Sequence, residues 1–213
     1  MPSIGNEDPQ GDIVLVVGHD QVQIPVSSQL LCMASRPFSK MLGPNFREGQ
    51  PDKAVTVKEV SLPDDKPSAT ELMCNIIHHR IHDPSLAPTA AELHDLAIVS
   101  DKYDCIQAIS LAATAWIQPD ATQHISDLGM LMATAFMLKL SAPFYRVTRT
   151  LILGCGVSYH SLADIPGFVD RLGWEIIRKS GFAHTLVVMS LQFISQLGGE
   201  TELRPLPSGA DSY

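Results

Sequence analysis

The spacing of hydrophobic residues changes several times along this chain, and each change marks an element. Asp12-Ile-Val-Leu-Val-Val-Gly18 reads as a continuous apolar strand, Gly18-His-Asp20 is a turn, and Val22 to Val26 returns as the strand's hairpin partner. From Leu30 the period lengthens. Leu30, Leu31, Ala34, Phe38 and Met41 recur at three- and four-residue steps, as on one face of a helix. Ser27 or Ser28 is the natural cap, and Ser35-Arg-Pro37 reads as a second cap with proline in the first turn of a second short helix. Gly43-Pro-Asn45 stops that helix and Gln50-Pro-Asp-Lys53 is a loop. Ala54 to Val60 then alternates apolar and polar, which predicts a third strand with one wet face.

Beyond this point the pattern is helical. A helix is predicted from about Ser68 to His79, and Thr89 with Glu92 at capping-box spacing opens another. Leu93, Leu96, Ala97, Val99 and Ser100 line its inner face and Tyr103 closes it. Ile106 to Ile117 follows, and Gln118-Pro-Asp-Ala-Thr122 is the clearest boundary in the chain. The second half carries helical patterns over Asp127–Leu140, Ala142–Leu153 (with Arg146 and Arg149 expected outside), Pro166–Arg178 and His184–Leu197, with no sheet signal. The expected class is α+β, a small sheet flanked by helices and followed by an all-α extension. Residues 1–10 read as a flexible N-terminus, 11–118 and 123–200 as the two folded parts, and 201–213 as a disordered tail.

Composition narrows the function more than the fold. The 213 residues carry 15 basic and 23 acidic side chains, a formal charge of −8 with no basic run, which argues against nucleic acid as a partner. Cys32, Cys74, Cys105 and Cys155 are scattered within apolar helical patterns, which is free-thiol usage of a reducing compartment. The opening MPSIGNEDPQGD is acidic and lacks an apolar core, so no signal peptide is expected, and the most apolar windows are too short to span a bilayer. The expectation is a soluble protein of the cytoplasm or nucleus that does not act on membranes.

The order of these segments resembles the BTB/POZ family. The resemblance is carried by the apolar strand, Leu31-Cys-Met-Ala-Ser35-Arg-Pro-Phe38, Met41-Leu42, Phe46-Arg-Glu48, Leu62-Pro-Asp-Asp65, the helix Ala69–Ile77, and Leu93 to Tyr103 with Ser100-Asp-Lys-Tyr103 near its end. It covers roughly residues 11–118, and the helical second half is similar to the extension of short fungal members. The chain departs from the family pattern at Ser27, where a histidine is usual, and at His79-Arg80-Ile81-His82. The resemblance implies a BTB/POZ domain acting as a non-catalytic protein–protein interaction module, a homodimer, and an adaptor between a cullin-type ubiquitin ligase and an unknown client protein. It implies that Phe46 and Glu48 dock the cullin, an apolar anchor beside an orienting acid. Read as residues alone, Phe46 is core and Glu48 solvated. The resemblance places Asp12 near the dimer interface, whereas its position before a strand also suits a local cap. A monomeric adaptor similar to elongin C or Skp-type proteins, docking a partner helix, is the alternative.

Motifs for chemistry are weak. Gly-x-Ser-x-Gly, His-Glu-x-x-His, a phosphate-binding loop and Gly-x-Gly-x-x-Gly do not occur, and no cofactor or metal is expected. An enzyme using a Cys or His is the reading from a different class. Gly154-Cys-Gly156 lies at a helix stop with no forced histidine partner. Asp64-Asp65 reads as helix-start electrostatics, and His78, His79 and His82 as a solvated helix end where cationic imidazole suits the dipole. Met130, Met132 and Met137 fall at helical spacing, as core or as an adaptable groove.

Overall fold

Ile13–Val17 forms β1 and Val22–Val26 forms β2, antiparallel, with Ile13 opposite Val26 and Val17 opposite Val22. Gly18 begins the turn between them at φ +72°, and a Cβ there would come within 2.9 Å of Pro67 Cγ, so both conformation and space demand glycine. The structure, a computed structural model, describes residues 11–43, 58–81 and 87–154. Ser27 and Ser28 turn the chain into α1, Ser28–Ala34, with Ser27 as the N-cap. At Ser35 the backbone is extended, φ −139°, and its hydroxyl accepts the Phe38 amide at 3.1 Å to open α2, Arg36–Met41.

The third strand, β3, spans Lys58–Leu62 and pairs parallel to β1, Ile13 with Lys58 and Val17 with Leu62, giving the strand order β2-β1-β3. It runs two residues past the Val60 end expected from alternation. The Leu62 carbonyl accepts the Gly18 amide at 3.0 Å, which keeps the pairing until Pro63. Residues 54–57 of that expected strand lie outside the described residues. Ile13, Leu15, Val17, Ile24, Val26, Val60 and Leu62 are all buried, so the sheet turns one face to the core, as period-two alternation requires.

Helices fill that face. They are α3, Pro67–Ile77; α4, Ala90–Lys102; α5, Ile106–Trp116; α6, Ile125–Met137; and α7, Ser141–Gly154. The architecture is mixed α+β, with a three-stranded sheet and seven helices among the described residues. α3 packs on α4 and α5, α4 on α6, and α6 on α7. One apolar core runs from Leu15 and Leu31 through Met73, Leu96 and Ile109 to Met132, Phe144 and Leu151. Met132 and Met137 are core; Met130 is half-buried against it. No helix among the described residues is long and apolar enough to cross a membrane.

Arg146 and Asp65 sit differently from their sequence expectation. Arg146 is half-buried rather than outside: its Nη2 donates to the Ile117 carbonyl at 3.3 Å and its Nε is shielded from water. Asp65 does not serve the start of α3, whose N-cap is Lys66. Its nearly buried carboxylate instead accepts the Tyr103 hydroxyl and the Lys102 ammonium, the latter at 2.5 Å, and ties the β3–α3 turn to the end of α4. The segments 1–10 and 155–213, with Cys155 and the two last predicted helices, lie outside the described residues.

Candidate functional site

α1 is an apolar helix with apolar residues on both sides. Leu31 is fully buried, but Leu30 is 37% exposed and Met33 78% exposed, three residues apart and therefore on one side of the helix. A seven-residue helix has little stability of its own. Its place is set by polar anchors at both ends.

At the N-terminal end, the Asp12 carboxylate accepts the Ser28 amide at 2.6 Å and the Ser28 hydroxyl. Asp12 thus ties the start of β1 to the first turn of α1, beside the Ser27 N-cap. Partial burial pushes its carboxyl pKa up, but the hydrogen bonds from the Ser28 hydroxyl and amide outweigh this and hold it below its ordinary value. From the other side comes the end of α3. His78 Nε2 accepts the Ser27 amide at 2.9 Å while Nδ1 donates to the Cys74 carbonyl at 2.8 Å. The Arg80 guanidinium donates to the Pro25 carbonyl at 3.3 Å. His78 is therefore not a solvated cation at a helix end. It is a half-buried neutral bridge, because an amide leaves it no other role than acceptor. His79 is exposed, and His82 lies outside the described residues.

The C-terminal end is held through Ser35, whose hydroxyl donates to the Tyr103 carbonyl at 2.5 Å. The Phe38 ring stacks on Tyr103 at 4.4 Å between centroids and 15° between planes. Tyr103 in turn donates to Asp65, so the α1–α2 break, the β3–α3 turn and the α4 terminus share one buried cluster. Of the residues singled out by sequence, Asp12 belongs to the α1 anchor; Phe46 and Glu48 lie outside the described residues. His78 and Arg80 were missed because nothing local marks a hydrogen bond spanning more than fifty residues.

Cys74 is pushed up to about 12 by burial, with the neighbouring Cys105 adding to it, and burial raises Cys105 to about 11. Burial and the Asp12 charge raise Cys32 as well. Thiols held protonated are poor nucleophiles at neutral pH. Among the described residues no group of three or more His, Cys, Asp or Glu side chains could hold a metal ion. A shallow groove of about 360 Å³ lies between α3 and the start of α4, but two of its three carboxylates are engaged, Glu92 by Thr89 and Asp95 by Lys66. Compared with protein-family models and with curated proteins, the chain matches none.

Proposed function

We propose that this protein is a non-catalytic interaction module of the BTB/POZ type that pairs with a second copy of itself through the outer side of α1. The observation that carries the reading is Met33, 78% exposed beside Leu30 on a helix anchored at both ends. A rigidly held apolar side of a short helix suits an isologous contact, in which each copy presents the same patch to the other. The element order supports the family reading, since a hairpin, two short helices broken at Ser35, a third strand and then helices follow one another as the segments that carry the sequence resemblance do. Within the same reading Asp12 orients the interface from behind, and Phe46 and Glu48 dock a cullin-type scaffold that the second half links to a client. The cytoplasm or nucleus is the compartment this implies.

Light scattering of the purified chain tests it. A chain of 23.2 kDa is expected to run at twice that mass. Met33→Glu is expected to weaken the dimer on the order of a hundredfold, because each of two copies loses about 1.5 kcal/mol of apolar burial. A wild-type monomer at high concentration would sink the self-association and leave a partner helix as the occupant. Mixing with a cullin N-terminal domain tests the second part: a gain in mass that Phe46→Ala and Glu48→Ala abolish supports docking, and no gain removes it.

A further inference from the structure

Among the described residues, three side chains from outside the segment hold the junction of β2 and α1, namely Asp12 on Ser28, Arg80 on Pro25 and His78 on Ser27. Only the imidazole among them depends on a single proton exchanged near neutrality. A backbone N–H donates and never accepts, so the Ser27 amide 2.9 Å away requires a lone pair on Nε2. The Cys74 carbonyl accepts and never donates, so Nδ1, 2.8 Å away, carries the hydrogen. The two partners together allow one tautomer of the neutral ring and exclude the imidazolium. We propose that His78 is a proton-operated latch on the first helix: the neutral ring holds the N-terminal end of α1, and protonation at Nε2 releases it.

The chemistry balances on one proton. Protonation replaces the Nε2 lone pair with an N–H aimed at another N–H, so the bond to Ser27 is lost while that to Cys74 remains. The described residues place these charged and titratable groups around the junction. Asp12, from the start of β1, is committed to Ser28. Cys32 of α1 and Cys74 of α3 are thiols held protonated. Arg80 beyond α3 has the same sign as the new charge, and His79 is exposed. Imidazoles in water take up a proton around pH 6.5. The released state binds that proton more readily than the latched state, so the latch holds at higher pH and is lost as the pH falls.

NMR of the full chain with labelled histidines is the test, at about pH 7.5 and about pH 5.5, either side of the ordinary imidazole range. The expected results are an Nδ1–H tautomer for His78 at the higher pH and, after correction for intrinsic rates, Ser27 amide exchange about three- to tenfold faster at the lower pH, the factor of one hydrogen bond of ordinary net strength. Amides of α5 should keep their protection. His78→Gln, an acceptor that does not titrate, should flatten the step; His78→Ala should exchange fast at both values. An Nε2–H tautomer, a Ser27 amide indifferent to pH, or an acid step that survives in His78→Gln overturns the latch, and these stand even where His78→Ala does not fold. Because α1 carries the face assigned above to self-association, release also predicts a weaker dimer at the lower pH. That consequence rests on the self-association reading, whereas tautomer and exchange do not.

Discussion

Tyr103 shows how one side chain can join three elements. Its ring stacks on Phe38, its carbonyl accepts from Ser35, and its hydroxyl donates to Asp65. Burial first, then the hydrogen bond to Asp65 and the charge on that carboxylate, pushes the phenol well above the ordinary tyrosine range. The folded chain therefore keeps this proton where the unfolded chain gives it up. The stabilisation is complete below about pH 10 and is lost as the pH rises through and beyond it. In an ultraviolet titration of phenolate, one of the four tyrosines is expected to ionise only as the protein unfolds. Tyr103→Phe should remove that step and cost about 1.5–3 kcal/mol in denaturant unfolding, the range for a hydrogen bond to a charged group. An unchanged midpoint would mean that the cluster contributes packing alone. Sequence marked Tyr103 as a helix end, but its partners lie up to 68 residues away and no local spacing encodes them.

Three helices close in the same way, and none uses glycine. After α3, α4 and α6 the chain passes through His79, Asp104 and Lys139 at φ +55°, +48° and +57°. In each case the next amide reaches back five residues: Arg80 to Asn75 at 2.8 Å, Cys105 to Ser100 at 3.0 Å and Leu140 to Ala135 at 2.8 Å. These are Schellman closures, which satisfy carbonyls that the helix leaves open. A side chain in the left-handed region carries a strain that glycine lacks, about 1–2 kcal/mol before glycine's greater entropy loss is subtracted. Lys139 is exposed, so Lys139→Gly is expected to raise unfolding stability by about 0.5–1 kcal/mol; a loss would show that its side chain holds something in place. The helix starts were legible, with Ser27, Ser35 and Thr89 capping as their sequence signatures predict. The stops were less so, because the stop signal is glycine and these three positions have none.

The linker at Gln118–Thr122 separates two parts of the sequence, but the core crosses it. α6 packs on α4, and Leu128, Leu131 and Met132 join the same buried cluster as Leu93 and Leu96. Full-length protein is therefore expected to unfold in one transition, by circular dichroism and by tryptophan fluorescence alike. A chain ending at residue 118 should have a lower midpoint, since each large apolar side chain removed from the interface takes about 1.5–3 kcal/mol of burial with it. Two separated transitions, or a fragment as stable as the whole, would show that the two parts fold independently.

Hairpin, capped break, capping box and the helices up to Gly154 were all present in the order of residues, because period and cap chemistry act over a few positions. The class α+β follows from them. The parallel seating of β3 against β1, the anchoring of α1 by Asp12, His78 and Arg80, and the conversion of Asp65 from a helix-start acid into a partner for Tyr103 did not. Each joins groups brought together only when the core closes, and a hydrogen bond between distant residues has no period. The same closure leaves Met33 outside while burying Leu31 two positions earlier, so the face that a partner would meet was decided by the tertiary structure.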